Sequence, residues 1–208
     1  MRIAYPLAGL ICLLFLSACG SVQKGNKKPK QLTEESYLKW YESADYPYRD
    51  TVEVNQIVYV CTFEPRQVEI VRQYTSQLIT RDEMITYLKE EDDLLQFQIR
   101  IFLPQAGTDV IHYKLKEGES VNSRTSYFAF GIKSDLKIDY EASGTTDCLS
   151  VHFERGIANL PTSKVLAYFP FRQEKIKSIT FDAAVFGQSK ISFDLNELSI
   201  NTLPRLKL

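Results

Sequence analysis

Beyond residue 94 the chain keeps a two-residue rhythm. Leu95, Phe97, Ile99, Ile101 and Leu103 recur at every second position up to Pro104, and because successive side chains of an extended strand point to opposite faces, that spacing predicts a strand with one apolar face. Gln105-Ala106-Gly107 then reads as a turn. The rhythm continues through Ile111, Tyr113 and Leu115, and through Tyr127 to Ile132 with Leu136, Ile138 and Tyr140, a predicted hairpin about Ser134-Asp135. Leu149, Val151 and Phe153 follow, with Ser150 and His152 between them, then Val165, Ala167 and Phe169, and Ile179 through Val185. Gly187-Gln188 turns the chain into Ile191, Phe193 and Leu195, and Leu203 to Leu208 is a last strand or a docked terminus. Strands recurring roughly every ten to fifteen residues predict an antiparallel β-sandwich.

Upstream the texture is mixed. Thr33 reads as an N-cap with Glu34 and Glu35 in the first turn, and Tyr37, Trp40, Tyr41 and Ala44 recur at helical spacing up to about Asp45. Val52 to Phe63 alternates with apolar residues on both sides, as in a strand covered on two faces. Glu64-Pro65 starts a second helix with Pro at its first position, carrying Val68, Val71 and Tyr74, and Thr80-Arg81-Asp82-Glu83 matches a capping box that opens a third, ending near Glu91. The expected fold is therefore mainly β, α+β at its N-terminal side, with two or three short helices before residue 94.

The first residues address the chain rather than fold it. Arg2 is followed by an apolar run from Ile3 to Leu16, too short for a comfortable membrane span and suited to a secretory signal. Leu16-Ser17-Ala18-Cys19 resembles the lipobox of bacterial lipoproteins, in which the cysteine is diacylated and, after cleavage, becomes the first residue of the mature chain. The resemblance covers the signal alone. It implies residues 1–18 as signal peptide, loss of Cys12, lipidation of Cys19 and a membrane partner; Gly20, where the enterobacterial pattern places an inner-membrane-retaining Asp, points to the outer membrane. Ser21 to Gln31 carries four lysines, a Gly, a Pro and no acid, a composition too polar to order itself. The division expected is a lipidated tether over 19–31 and a single globular domain over 32–208, with an α+β subregion at 32–105 and a sandwich at 106–208.

Charge and motif spacing narrow the chemistry. Arg2 and the tether lysines take five of the 25 basic residues, leaving 20 against 26 acids from Leu32 onward, a formal −6. An acidic body without basic-aromatic runs is a poor nucleic-acid binder. His112 and His152 fall on the polar side of their predicted strands, and Cys148 and His152, four apart in a strand, stand ~13 Å from each other, too far to share a metal. Glu90-Glu91-Asp92-Asp93 lacks the alternating ligands of a calcium loop and reads as a solvated helix end. Gly144-Thr145-Thr146-Asp147 has the composition of a turn, and neither G-x-S-x-G nor a phosphate-cradling loop is present.

No cofactor and no catalytic residue is expected. The expected role is a non-catalytic envelope module that binds another envelope protein or a glycan; the alternative is an anchored hydrolase of carbohydrate or peptidoglycan whose carboxylates the sequence does not single out. Trp40, Tyr41, Tyr46 and Tyr48 are the positions for partner contact, set against a stripe that simply packs on the domain. Cys61 and Cys148 invite a bridge outside the cytoplasm, but Cys61 shares an apolar face with Ile57, Tyr59 and Phe63 while Cys148 falls among polar positions, which favours two separate thiols.

Replacing Cys19 by Ser should abolish metabolic labelling by a fatty-acid probe and leave an uncleaved or soluble precursor. Label persisting on the variant would remove Cys19 from the anchor.

Overall fold

The computed structural model describes residues 30–90, 93–105, 108–156 and 162–208, with Asn196 and Glu197 described by backbone alone. The expected signal, Cys19, the tether before Lys30, Glu91 and Asp92 of the acid cluster, and Ala106 and Gly107 lie outside these residues.

The fold is mainly β, and its two larger sheets are antiparallel. It begins with a two-residue strand, β1 (Gln31–Leu32), paired in parallel with the C-terminal segment. Gln31, expected in the tether, therefore belongs to the folded body, because the Arg205 N–H donates to the Lys30 carbonyl (2.9 Å) and the Lys207 N–H to that of Leu32 (2.8 Å). Helix α1 (Glu34–Glu42) is capped as expected, with the Thr33 side chain accepting from the Ser36 N–H, and stops three residues short of Asp45. The run Val52 to Phe63 is not one strand but two, β2 (Arg49–Val54) and β3 (Ile57–Glu64). Asn55 and Gln56 turn the chain between them at φ 49° and 69°, the left-handed pair that matches strand twist in a two-residue hairpin. β3 is buried along its whole length, as a strand covered on two faces requires. In α2 (Arg66–Thr75) Pro65 stands one position before the helix rather than at its start, and α3 (Arg81–Tyr87) carries the Thr80–Glu83 capping box but ends before Glu91.

β4 (Leu94–Phe102) follows its alternation residue by residue. Several later expectations fail. Ile111 lies not in a strand but in a 3-10 turn, Val110–His112, because the Asp109 carboxylate accepts from the Ile111 N–H (3.2 Å) and closes the chain on itself. The predicted hairpin arm Tyr127 to Ile132 is helical: α4 (Val121–Ser126) runs into a π turn, Tyr127–Gly131, and a 3-10 turn, Ile132–Asp135, so helix is not confined to the region before Leu94. Tertiary contacts override the strand-like composition. Phe128 is buried and stacks on Phe153 at 5.2 Å, the Tyr127 hydroxyl donates to Asp135 (2.6 Å), and Gly131 lets the Tyr127 ring approach to where a Cβ would stand 2.9 Å from it.

β5 (Leu136–Tyr140) pairs with β6 (Gly144–Asp147), so the Gly-Thr-Thr-Asp run expected as a turn is itself a strand and the bend lies before it. β7 (Ser150–Glu154), β8 (Thr162–Pro170), β9 (Ile176–Asp182), β10 (Lys190–Leu198) and β11 (Arg205–Leu206) complete the order. Val185 falls in a 3-10 turn, Ala184–Phe186, beyond the end of β9. One sheet runs β2-β3-β4-β8-β7, the other β10-β9-β5-β6, and β11 lies on β1.

The inward side chains of both large sheets share one core, with Tyr59, Phe97 and Phe169 from the first and Ile138, Phe181 and Phe193 from the second. The chain passes from one sheet to the other at a corner: the Cys148 N–H donates to the Leu136 carbonyl (3.1 Å) and the Leu149 N–H to that of Tyr168 (2.8 Å). Cys148 is accordingly buried and not among the polar positions of β7. Cys61 and Cys148 are free thiols. Burial pushes both thiols up, that of Cys148 to about 11.

A guanidinium is sealed inside the fold. Arg124 is fully buried; its Nε and Nη2 donate to the two Glu119 carboxylate oxygens (2.5 and 2.6 Å), its Nη1 to the Tyr113 carbonyl, and its guanidinium lies 5.1 Å from the centre of the Phe186 ring. The Arg124 hydrogen bonds hold the Glu119 carboxyl at about 2 against the desolvation that opposes them. Because the folded value lies below the unfolded one near 4.3, this pair stabilises fully above that value and loses its contribution as pH falls toward 2. Arg124→Ala leaves Glu119 with only the Lys116 N–H (3.0 Å) and opens a void, and should cost about 3 kcal/mol in urea denaturation. Glu119→Gln should flatten the fall in stability between about pH 4.3 and 2; an unchanged acid limb would show that the pair does not carry it.

Candidate functional site

The inner face of the five-stranded sheet is core; its outer face is buried along β3 and half-exposed across β4 and β8. In β4 and β8 every second residue is buried and its neighbour half-exposed, so the alternation that builds the core also aims Gln96, Gln98 and Arg100 from one strand and Lys164, Leu166 and Tyr168 from the next toward solvent. The register sets them in rows across the sheet. Thr62, Gln98, Leu166 and His152 form one row; Val60, Arg100, Lys164 and Glu154 form the next; Glu64, Gln96, Tyr168 and Ser150 close the end nearest α2. Adjacent members of a row stand about 5 Å apart.

Arg100 occupies the middle of this face. Its Nε is buried and, among the described residues, has no hydrogen-bond partner, a state that costs free energy unless a ligand or water satisfies it. Beside it Lys164 is tied to Glu154 at 2.6 Å. The face therefore offers a guanidinium, two amides, a phenol and an imidazole around an aliphatic centre, Leu166. Such a surface fits an extended polar chain, whose groups alternate along a strand-like path.

The Glu64 end is more enclosed. A cavity of about 260 Å³ opens there, bounded by Glu64, Arg66, Gln96, Tyr168 and Phe171 among others. Glu64 is 4% exposed and accepts from Arg72 Nη1 at 2.7 Å, while the Arg72 guanidinium lies 5.2 Å from the centre of the Tyr41 ring. Burial, and after it the negative charge of Glu64, raises the Tyr41 phenol; burial, followed by Glu64, Glu154 and Glu69, raises that of Tyr168. Both hydroxyls stay protonated over the physiological range.

The aromatic positions expected to meet a partner do come together, but as packing. Trp40 and Tyr46 have ring centres 5.0 Å apart, Tyr41 and Tyr46 5.1 Å, Tyr46 and Tyr48 5.7 Å. Tyr41 and Tyr46 are buried, and the Tyr46 hydroxyl donates to the Phe63 carbonyl (2.9 Å). Only Trp40 and Tyr48 keep part of their surface, so the group staples α1 to the sheet instead of presenting a stacking platform. Cys19 lies outside the described residues. His112 and His152 are exposed; His112 Nε2 lies 3.1 Å from an Arg155 nitrogen. No three of the described His, Cys, Asp or Glu side chains are grouped as a metal site.

Sequence reading passed over the open face because its signal is only the polar half of an alternation, which any half-solvated strand shows. In comparisons with protein-family models, curated proteins and solved structures, nothing matches this chain.

The Glu64–Arg72 pair should respond asymmetrically to deletion. Arg72 has 37% of its side chain exposed and also reaches Glu42 at 3.6 Å, so Glu64→Gln should cost only about 1 kcal/mol. Arg72→Ala leaves a carboxylate buried without its counter-ion and should cost about 3 kcal/mol or more. Chemical denaturation of the two variants checks the order.

Proposed function

We propose that the protein is a lipid-anchored envelope component whose folded body, an antiparallel β-sandwich, serves as a non-catalytic binding or assembly module. The observation that carries the anchor is the signal-like run ending in Leu16-Ser17-Ala18-Cys19, eleven positions before Lys30. A polar coil of that length has a root-mean-square reach of about 18 Å, so the body works close to the membrane that holds the acyl chains, by this reading the outer membrane. Arg100 and its row supply the docking surface. The partner class the face suits best is an extended polar segment, a polypeptide of another envelope protein or a glycan strand. Among the described residues no helix is long and apolar enough to cross a membrane, and the acylated Cys19 is the attachment this reading relies on.

A photoreactive side chain placed at Gln98 or Leu166 in cells should yield a crosslinked species that the same group at Glu117, on the exposed loop before α4, does not. Arg100→Glu should lose the crosslink while keeping the thermal midpoint within a few degrees, since a half-exposed surface position contributes little to stability. Equal crosslinking from Glu117 and Gln98 would remove the sheet face from the reading.

A further inference from the structure

The segment that enters the fold from the anchor side lies against the end of the chain, and what surrounds that junction differs from the rest of the surface. β1 and β11 are hydrogen-bonded in parallel, so the backbones of Lys30, Arg205 and Lys207 are neighbours at this junction, and the alternation sets Lys30 on one side of the short ladder and Arg205 with Lys207 on the other, cations flanking it on both sides. All three are exposed. Leu208, next to them, is 58% exposed, and beside it a concavity of about 360 Å³ is walled by Leu88, Ile200, Leu203, Leu206 and Leu208. Three further lysines, Lys24, Lys27 and Lys28, lie in the ten residues that precede. Glu34 and Glu35 follow β1 directly, and Glu35 is tied to Lys39 at 2.7 Å. Cations around an apolar patch are the combination that seats a protein surface at the boundary of head groups and acyl chains.

We infer that this junction is a membrane-facing surface: resting on the anchored reading above, the β1–β11 end docks on an anionic lipid bilayer, with Lys30, Arg205 and Lys207 on head-group phosphates and Leu208 with its apolar surround at the acyl boundary. The occupant follows from where the undescribed chain joins. A lipidated Cys19 within about 18 Å of Lys30 keeps a bilayer next to this patch more than next to any other. Docking there also fixes the far end of the body. β10 runs for nine residues, ~30 Å, away from the junction, and at its other end Lys116, in the loop that carries Glu117, donates to the Ala184 carbonyl (2.9 Å).

The test uses the full-length acylated protein in vesicles of phosphatidylethanolamine and phosphatidylglycerol (3:1) with brominated acyl chains. An environment-sensitive fluorophore is attached to Leu208→Cys or, as the distal control, to Glu117→Cys; the buried Cys61 and Cys148 stay unlabelled in the folded protein. Quenching several-fold stronger at position 208 than at 117 supports the surface. That contrast should shrink in neutral phosphatidylcholine vesicles, in 1 M salt, and in the Lys30→Glu, Arg205→Glu, Lys207→Glu variant; salt gives the same answer without requiring the variant to fold. Equal quenching at the two positions overturns the orientation, and a contrast indifferent to lipid charge, salt and charge reversal overturns docking through these cations. Flotation reads the anchor separately. An acylated chain that fails to float with the vesicles overturns the anchored reading and this inference with it, whereas flotation with equal quenching overturns the inference alone.

Discussion

The apolar faces of the two antiparallel sheets have chiefly each other to exclude water. Tyr59, Phe97 and Phe169 on one side and Ile138, Phe181 and Phe193 on the other are all fully buried in a single cluster, and with each such side chain worth about 1.5–3 kcal/mol on burial, neither sheet keeps its place without its neighbour. Two seams follow from that requirement. On one side the chain bends through Cys148-Leu149, so that β6 and β7 are successive parts of one run with hydrogen bonds to different sheets. On the other, the Asp50 carboxylate at the edge of the first sheet accepts from the Asp194 N–H of the second (2.8 Å). A cysteine suits the first seam because a small apolar side chain fits the corner, and its thiol points at the Ser150 and Tyr168 carbonyls (3.2 and 3.5 Å).

What could be read from the chain alone follows from how local each signal is. The alternations at 95–103, 165–169 and 191–195 and the Thr33 and Thr80 caps need only neighbours in sequence, and the elements form where these signals stand. The helical stretch from Val121 to Asp135 needs distant partners. Its N-cap is a Ser120–Ser123 exchange, without the glutamate that marks the usual box, and Tyr127, Phe128 and Phe130 favour strands by composition. What decides the conformation is the burial of Phe128 against Phe153 and the Arg124–Glu119 clamp beneath it. No periodicity announces a buried arginine. The Asn55-Gln56 turn was hidden for a related reason: a Gln at φ 69° replaces the glycine by which such hairpins are recognised.

The candidate site was legible by half. Polar residues at alternate positions of β4 and β8 say that one face meets solvent, but not that it stays open, because a covering helix leaves a similar mark when its own polar groups line it. Here α1 and α2 pack over the Tyr41 and Tyr46 end, where Val68 joins the aromatic cluster. Arg100 and Leu166 in the middle remain half-exposed. The four aromatics Trp40, Tyr41, Tyr46 and Tyr48 serve that covering, packing α1 against the end of the sheet.

An open sheet face with Val58, Val60 and Thr62 buried in it would invite unwanted association unless something shields those residues. The shield is the long side chains of the next strand: the register sets Arg100 directly beside Val60 and Phe102 beside Val58, and Lys164, held by Glu154, flanks Arg100. Arginine stems cover apolar surface while the end of the guanidinium stays wet, and charges placed among the apolar residues break up the patch that another surface would seek. The same arrangement explains the unpartnered Nε. An arginine whose methylenes cover a neighbouring valine gains packing there, and the nitrogen nearest them loses access to water. Protection of the sheet and the binding role proposed for its face thus ask for the same placement of one side chain.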